Sequence, residues 1–165
     1  MKKILTIIIC LSFNFIIGQE ISLIKIGNHH CAIFSEKYEL PNSKLPIENR
    51  FTPNQEEIKL FEKQLHKELK KFKNDNPNKK KSKKQIFYKN LKKYRRQYLG
   101  IIHKSGEKII FINFLRKMYK FSDSKREKKE IDNSWKREWK FIFDIGNKNW
   151  YAKYNINQKK IIINF

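Results

Sequence analysis

Cysteine is nearly absent from this chain: Cys10 and Cys31 are the only two in 165 residues. Cys10 falls in a leader expected to be removed, so the processed chain would keep one thiol and form no internal disulfide. A lone thiol of that kind is buried, reactive or paired with another chain, and burial is the commonest of the three. Glycine and proline are sparse as well, five and four. They stand singly as turn and boundary signals, and no cofactor motif forms around them. Soft metal ligands are few: His29, His30 and Cys31 are adjacent, while His66 and His103 have no close companions in sequence. Side chains alternate along an extended chain, so His29 and Cys31 can share a face and His30 cannot readily join them. Zinc sites draw on spaced pairs and usually four ligands. No metal and no cofactor are therefore expected, and a Cys31 nucleophile has no flanking motif to support it.

Long apolar runs are also missing. The longest candidate opens the chain, MKKILTIIICLSFNFIIG, where Lys2 and Lys3 precede an apolar stretch that closes on Gly18. This is the layout of a secretory signal peptide, with cleavage expected after Gly18. Ser12 and Asn14 interrupt the run, and it falls short of the roughly 20 residues that span a bilayer. No transmembrane segment is expected in the processed protein. Ile7, Ile8 and Ile9 do not supply the small residues that precede a lipidated cysteine. The expected organisation is a signal peptide over 1–18, N-terminal strands and a loop over 19–50, and a helix-plus-sheet domain over 51–165.

Acidic residues are outnumbered, 16 against 38 Lys and Arg, for a net charge of +22. Removing Lys2 and Lys3 leaves +20, a charge that repels itself and attracts polyanions. Between Lys67 and Lys104 there are fifteen basic residues against Glu68 and Asp75. Lys79, Lys80, Lys81, Lys83, Lys84, Lys92, Lys93, Arg95 and Arg96 are the candidate polyanion-binding residues. Phe72, Phe87, Tyr88, Tyr94 and Tyr98 are interleaved with this charge. Such a segment can release counterions from phosphates, stack on bases or lie at a membrane interface. Lys, Ile and Asn together fill 73 of the 165 positions; AT-rich codons favour these residues, so composition accounts for part of the basicity.

The stretch YRRQYLGIIHKSGEKIIFINFLR, Tyr94 to Arg116, reads as two strands joined by a hairpin turn at Lys104–Glu107. Gly106 can take the positive φ of such a turn. A two-residue loop would set Gly100 opposite Phe111, and a three-residue loop would shift the pairing by one. Both faces of Lys108–Leu115 are apolar, which predicts a strand central in its sheet. Upstream, Ile21–Phe34 carries two apolar runs around Gly27-Asn28, a hairpin or an edge strand. Pro41 and Pro46 lie in a loop. Thr52, Pro53 and Gln55 read as N-cap, first turn and capping box. Ile58, Phe61, Leu65, Leu69 and Phe72 then form one apolar stripe, predicting a helix from Pro53 to Lys73.

Gln85–Lys93 suggests a short helix, and Lys117–Ser134 a loop. Trp139, Phe141 and Phe143 alternate with Lys140, Ile142 and Asp144 as a half-buried strand, with a turn at Gly146–Asn149. Trp150, Ala152, Tyr154 and Ile156 form the next inner face, followed by Ile161, Ile163 and Phe165. The predicted class is α+β: one long helix packed on a curved antiparallel meander of four to five strands.

In element order, Thr52–Phe165 resembles the cystatin-like and NTF2-like arrangement, in which a curved sheet wraps a helix. The likeness carries no residue motif and transfers no functional residue. The leader, YRRQYLGII and KIIFINFL are also similar in style to small exported bacterial proteins of unknown function. The reading that follows is a periplasmic or extracellular, non-enzymatic binding or accessory protein. Its expected partners are anionic lipid, lipopolysaccharide or acidic polysaccharide, ahead of nucleic acid. The alternative is a small secreted hydrolase of nuclease type, using His103 and Glu107 with Arg95 and Arg96. Eight strand residues separate Arg95 from His103, roughly 26 Å, too far for one phosphate.

Overall fold

Tyr94–Ile102 and Lys108–Arg116 do pair antiparallel along their whole length, and the register decides between the two loops. Leu99 lies opposite Phe111 and Gly100 opposite Ile110, as a three-residue loop requires. The Gly106 N–H donates to the His103 carbonyl at 2.8 Å, and Gly106 sits at φ 81°. The chain is described here from a computed structural model, over residues 20–41, 49–74, 90–117, 119–121, 128–130, 132–142 and 149–164.

In chain order the elements are β1 (Ile21–Ile26), β2 (His29–Phe34), β3 (Arg50–Phe51), α1 (Gln55–Asn74), β4 (Tyr94–Ile102), β5 (Lys108–Arg116), β6 (Tyr119–Phe121), β7 (Lys128–Glu130), β8 (Asn149–Asn155) and β9 (Lys160–Asn164). The fold is α+β, as its sequence predicts, with a larger sheet. The antiparallel series β4-β5-β8-β9 is the expected meander, and β2 and β1 extend it beyond β4 into a mixed, curved sheet that does not close. Two short strands, β6 and β7, pair as a separate hairpin where the sequence reads as a loop.

The added strands have a physical reason. β2 runs parallel to β4, with Cys31 to Phe34 opposite Arg96 to Leu99. Cys31, Ala32, Ile33 and Phe34 are all buried. An unbroken apolar run covered on both faces is what a parallel strand needs, whereas a half-solvated edge strand alternates. β1 takes the edge through a two-residue turn at Gly27-Asn28, with Gly27 at φ 54°. β3 continues the β2 side of β4, setting Phe51 beside Gly100. The ring that covers this glycine thus comes from Phe51, not Phe111. A Cβ on Gly100 would lie 2.3 Å from the Phe51 carbonyl oxygen and 2.8 Å from its ring.

Helix α1 lies on one face of the sheet. Ile58, Phe61, Leu65 and Leu69 are wholly buried, each worth about 1.5–3 kcal/mol relative to exposure. They pack on Cys31, Ile33, Tyr98, Ile110, Ile112 and Trp150. The side chain of Phe72, the fifth member of the predicted stripe, lies outside the described residues. The helix starts two residues later than predicted, at Gln55 and not at Pro53. Asn54 N–H donates to Glu57 Oε2 and Glu57 N–H donates to Asn54 Oδ1, both at 2.9 Å, so the capping box is Asn54–Glu57. Thr52 is occupied elsewhere: its Oγ1 accepts from the Glu36 N–H at 3.1 Å.

The other face of β2, β4 and part of β5 is covered by two irregular segments. Phe34 packs edge-on against Tyr38 and Trp139, at 4.7 and 5.5 Å between ring centroids. The predicted strand at Trp139–Asp144 does not form over its described part: Trp139–Ile142 is irregular, with Trp139 buried and Phe141 45% exposed. Both edges of β5 are already taken by β4 and β8, so β5 offers this segment no backbone partner. Side chains hold it instead. Gln97 Nε2 donates to the Trp135 and Glu138 carbonyls at 2.8 and 2.6 Å. Lys140 N–H donates to Gln97 Oε1 at 3.0 Å, and Asn113 Nδ2 donates to the Lys140 carbonyl at 2.6 Å. Gln97 and Asn113 are cross-strand neighbours, and their joint demand for backbone partners fixes the segment on the sheet.

Candidate functional site

Charge gathers at the end of the β4–β5 pair opposite its turn. Lys92 and Lys93 are exposed in a 3-10 turn, Leu91–Lys93, that leads straight into β4. Arg95 follows on the strand, half-buried, and Arg116 ends β5 directly across from Tyr94. The Lys117 N–H donates to the Lys93 carbonyl at 2.8 Å, which closes this end of the pair. Five basic residues and no acidic one therefore lie in Lys92–Arg95 and Arg116–Lys117 together, apart from Arg96.

Arg96 is the correction to the predicted set. It points to the helix face and is wholly buried. Its Nε donates to Glu62 Oε1 at 2.6 Å and its guanidinium lies 5.1 Å from the Phe114 ring centroid. Strand alternation explains it: Arg95 and Arg96 must point to opposite faces, and only one can reach an external anion. Lys79, Lys80, Lys81, Lys83 and Lys84 lie outside the described residues.

On the face away from the helix, Arg95 enters the wall of a pocket of about 200 Å³. Its guanidinium stands over the Trp135 ring at 5.2 Å from the centroid. Leu115, Trp135, Phe141 and Ile142 supply apolar wall, and Lys140 and Arg116 add cations. Asp132 is the single carboxylate among the described residues of the lining. It is engaged with its own turn: Ser134 Oγ and N–H donate to Asp132 Oδ1 at 2.5 and 2.8 Å, which holds the carboxyl below its usual range. The pocket was not legible from sequence, because Lys140 and Phe141 read there as strand residues and Trp135 fell between the predicted loop and the predicted strand. Its signal was a tryptophan in a polar stretch, SWKREWK, with Arg95 on the strand that the stretch covers.

A second polar cluster lies between α1 and the sheet. Glu62 Oε1 accepts from Arg96 and also from Tyr98 Oη at 2.7 Å. Arg96 additionally donates to the Tyr94 carbonyl at 3.0 Å and faces His29 Nε2 at 3.4 Å. His29 and Cys31 share this face and His30 is exposed, as expected. Burial, then the charge of Arg96, lowers His29 to about 4. Burial pushes the Cys31 thiol up to about 11. A neutral histidine beside a neutral thiol makes a poor base and nucleophile pair. Among the described residues no three His, Cys, Asp or Glu side chains group to hold a metal.

His103 and Glu107 remain at the hairpin turn, at the far end of β4 from Arg95. His103 Nδ1 lies 3.0 Å from Ser105 Oγ, and Glu107 Oε1 accepts from Gln158 Nε2 at 2.6 Å. Among the described residues no helix is long and apolar enough to cross a membrane.

The chain matches no protein-family model, no curated protein and no solved structure.

Proposed function

We propose that this chain is an exported, non-enzymatic binding or accessory module that holds anionic envelope or extracellular polymers through its basic surface. The observation that supports this reading is the cation cluster at the end of β4 and β5, where Lys92 and Lys93 are exposed and Arg116 and Lys117 adjoin them. Lysines on a solvated turn neutralise phosphate, sulfate or carboxylate groups without reading their order, so the binding is weak, additive and unspecific. The leader-like opening of the sequence places lipopolysaccharide, anionic lipid and acidic polysaccharide ahead of nucleic acid as partners.

The test is binding to heparin and to vesicles containing anionic lipid at low and rising salt. Affinity should fall steeply between low and physiological salt. The triple variant Lys92→Glu, Lys93→Glu, Lys117→Glu should bind at least tenfold more weakly with an unchanged unfolding midpoint. Retention that is indifferent to salt, or unaltered in the triple variant, would remove the electrostatic reading.

A further inference from the structure

β9 stands at one end of the sheet, and among the described residues no strand pairs with its outer edge. The register shows which backbone groups this leaves open. The Ile156 N–H donates to the Lys108 carbonyl at 3.0 Å, so Ile109 and Asn155, which lie opposite each other, exchange no hydrogen bond. Asn155 therefore turns its N–H and C=O toward β9, as do Lys153 and Tyr151 at the same period of two. Their partners Lys160, Ile162 and Asn164 are bonded within the sheet. Ile161 and Ile163 lie between those partners and point N–H and C=O outward. Their side chains pack on the helix-side core, while Ile162 faces the other way and is 52% exposed. Edge strands are commonly blunted by proline or by charge in mid-strand. β9 has neither, since Lys160 stands at its start and three isoleucines follow. β1, at the other end of the sheet, has Lys25 within it and Glu20 beside it.

The charge around β9 has one sign. Lys153, Lys159 and Lys160 are the only charged residues from 149 to 164, and none of them belongs to an ion pair among the described residues. Lys153 stands over the Phe111 ring at 5.0 Å from its centroid. Glu107, which reaches the turn between β8 and β9, is held by Gln158 Nε2 and Ser105 Oγ. We infer that the β9 edge takes up an extended acidic peptide segment of a partner protein as one more antiparallel strand, with an apolar side chain opposite Ile162 and a carboxylate opposite Lys160. Backbone bonds to Ile161 and Ile163 supply the attachment, and the alternate side chains select the sequence. Antiparallel addition continues the β5-β8-β9 series and is slightly the more stable pairing per residue. A second copy of this chain would set like charge against like, since each carries +22. The inference is independent of polymer binding by Lys92 and Lys93, which lie at the start of β4.

The experiment titrates the protein with the end-blocked peptide Glu-Val-Val-Val-Glu and follows backbone amide shifts and hydrogen exchange by NMR. The Ile161 and Ile163 amides should shift saturably, and their exchange should slow by about tenfold at saturation. The Ile162 amide, already bonded to β8, should exchange as before. The same peptide N-methylated at its second and fourth residues cannot donate across the new pairing, and Lys-Val-Val-Val-Lys reverses its charge. Both should bind about tenfold more weakly or worse. Ile163→Pro removes an outward N–H that β8 does not use and should abolish binding. Ile162→Ser changes only an exposed side chain and should weaken binding severalfold with an unchanged unfolding midpoint. Shifts confined to Lys92, Lys93 and their neighbours would make the peptide one more polyanion on the basic surface and overturn the inference. Equal binding by the N-methylated peptide, or full binding in both variants, would overturn it as well. Protection of Ile161 and Ile163 that grows with protein concentration in the absence of peptide would also overturn it, by putting a second copy in the acidic strand's place.

Discussion

Arg96 Nε and Glu62 Oε1 lie 2.6 Å apart between β4 and α1, with the arginine side chain wholly buried and the glutamate side chain 10% exposed. This pair joins the long helix to the centre of the sheet, and Tyr98 adds a second bond to the same carboxylate oxygen. Removing one member strands a buried charge, which costs about 3–5 kcal/mol. Arg96→Met and Glu62→Leu should each lower stability by that order in urea unfolding. The double variant should cost clearly less than their sum, because neither charge is then left alone. Additive losses would mean that the two residues do not act as a pair.

Cys31 is fully buried on the helix face of β2. Burial pushes its thiol up to about 11, Glu62 adds to the rise and Arg96 opposes it. In a chain beginning at Gln19, where Cys31 is the only cysteine, Ellman's reagent at pH 8 should release almost no chromophore from the native protein. One equivalent should appear in denaturant. A fast native reaction would show an accessible thiolate and reopen the nucleophile reading.

The helix stripe and the inner faces of β8 and β9 were legible because 3.6- and 2-residue periods are local signals. Ile58, Phe61, Leu65, Trp150, Ala152 and Tyr154 needed no knowledge of the rest of the chain. Three features depended on distant partners and were not legible. Thr52 has the chemistry of a cap, but Glu36 competes for it and Asn54 takes the role. Arg96 reads as one more cation in a basic run until alternation sets it against Glu62, 34 residues away. Trp139–Ile142 alternates like a strand but lies over strands whose edges are already paired, so Gln97 and Asn113 bind its backbone instead. Of the candidate site, sequence reached Arg95 and the lysines and missed the tryptophan wall that gives Arg95 a pocket.

Gly100 leaves no room for a side chain between β4 and β3. A methyl group there meets the Phe51 carbonyl oxygen at 2.3 Å, and a backbone atom cannot swing aside as a side chain can. Gly100→Ala should cost about 1–3 kcal/mol through forced separation of β3 from β4. Phe51→Ala removes the ring but not the carbonyl, so combining it with Gly100→Ala should not rescue the loss. An unchanged melting temperature in Gly100→Ala would place β3 elsewhere.

His29 links stability to pH. Its ring faces the Arg96 guanidinium, with Lys117 and His66 opposing its protonation further and Glu62 favouring it, and burial is the largest influence. The folded group titrates near 4 and the unfolded group near its ordinary 6.5. Between these values the unfolded chain binds more protons, so stability rises with pH. The contribution is complete above about pH 6.5 and is lost as pH falls toward 4. His29→Gln should flatten that part of the stability profile measured by denaturant unfolding between pH 4 and 7. A slope identical to the parent protein would assign the pH dependence to other groups.

The bonds from Gln97 and Asn113 to the segment 135–140 make a separate prediction, because they hold a segment that has no backbone partner in the sheet. Gln97→Leu deprives the carbonyls of Trp135 and Glu138 and the N–H of Lys140 of their partners, whereas Asn113→Leu deprives the Lys140 carbonyl and leaves Gln97 Oε1 with one donor, the Lys140 N–H. Each polar group stranded in a buried place costs about 1–3 kcal/mol, so the glutamine variant should be the less stable of the two. The loss should also be local before it is global. Segments held by few bonds open below the global unfolding free energy, and this one carries Trp135 and Trp139 away from the sheet when it opens. In Gln97→Leu, hydrogen exchange at the Lys140 amide should accelerate by an order of magnitude or more, while amides in the β5–β8 pairing stay protected. Equal protection of Lys140 in parent and variant would mean that the segment is held by something other than these two side chains.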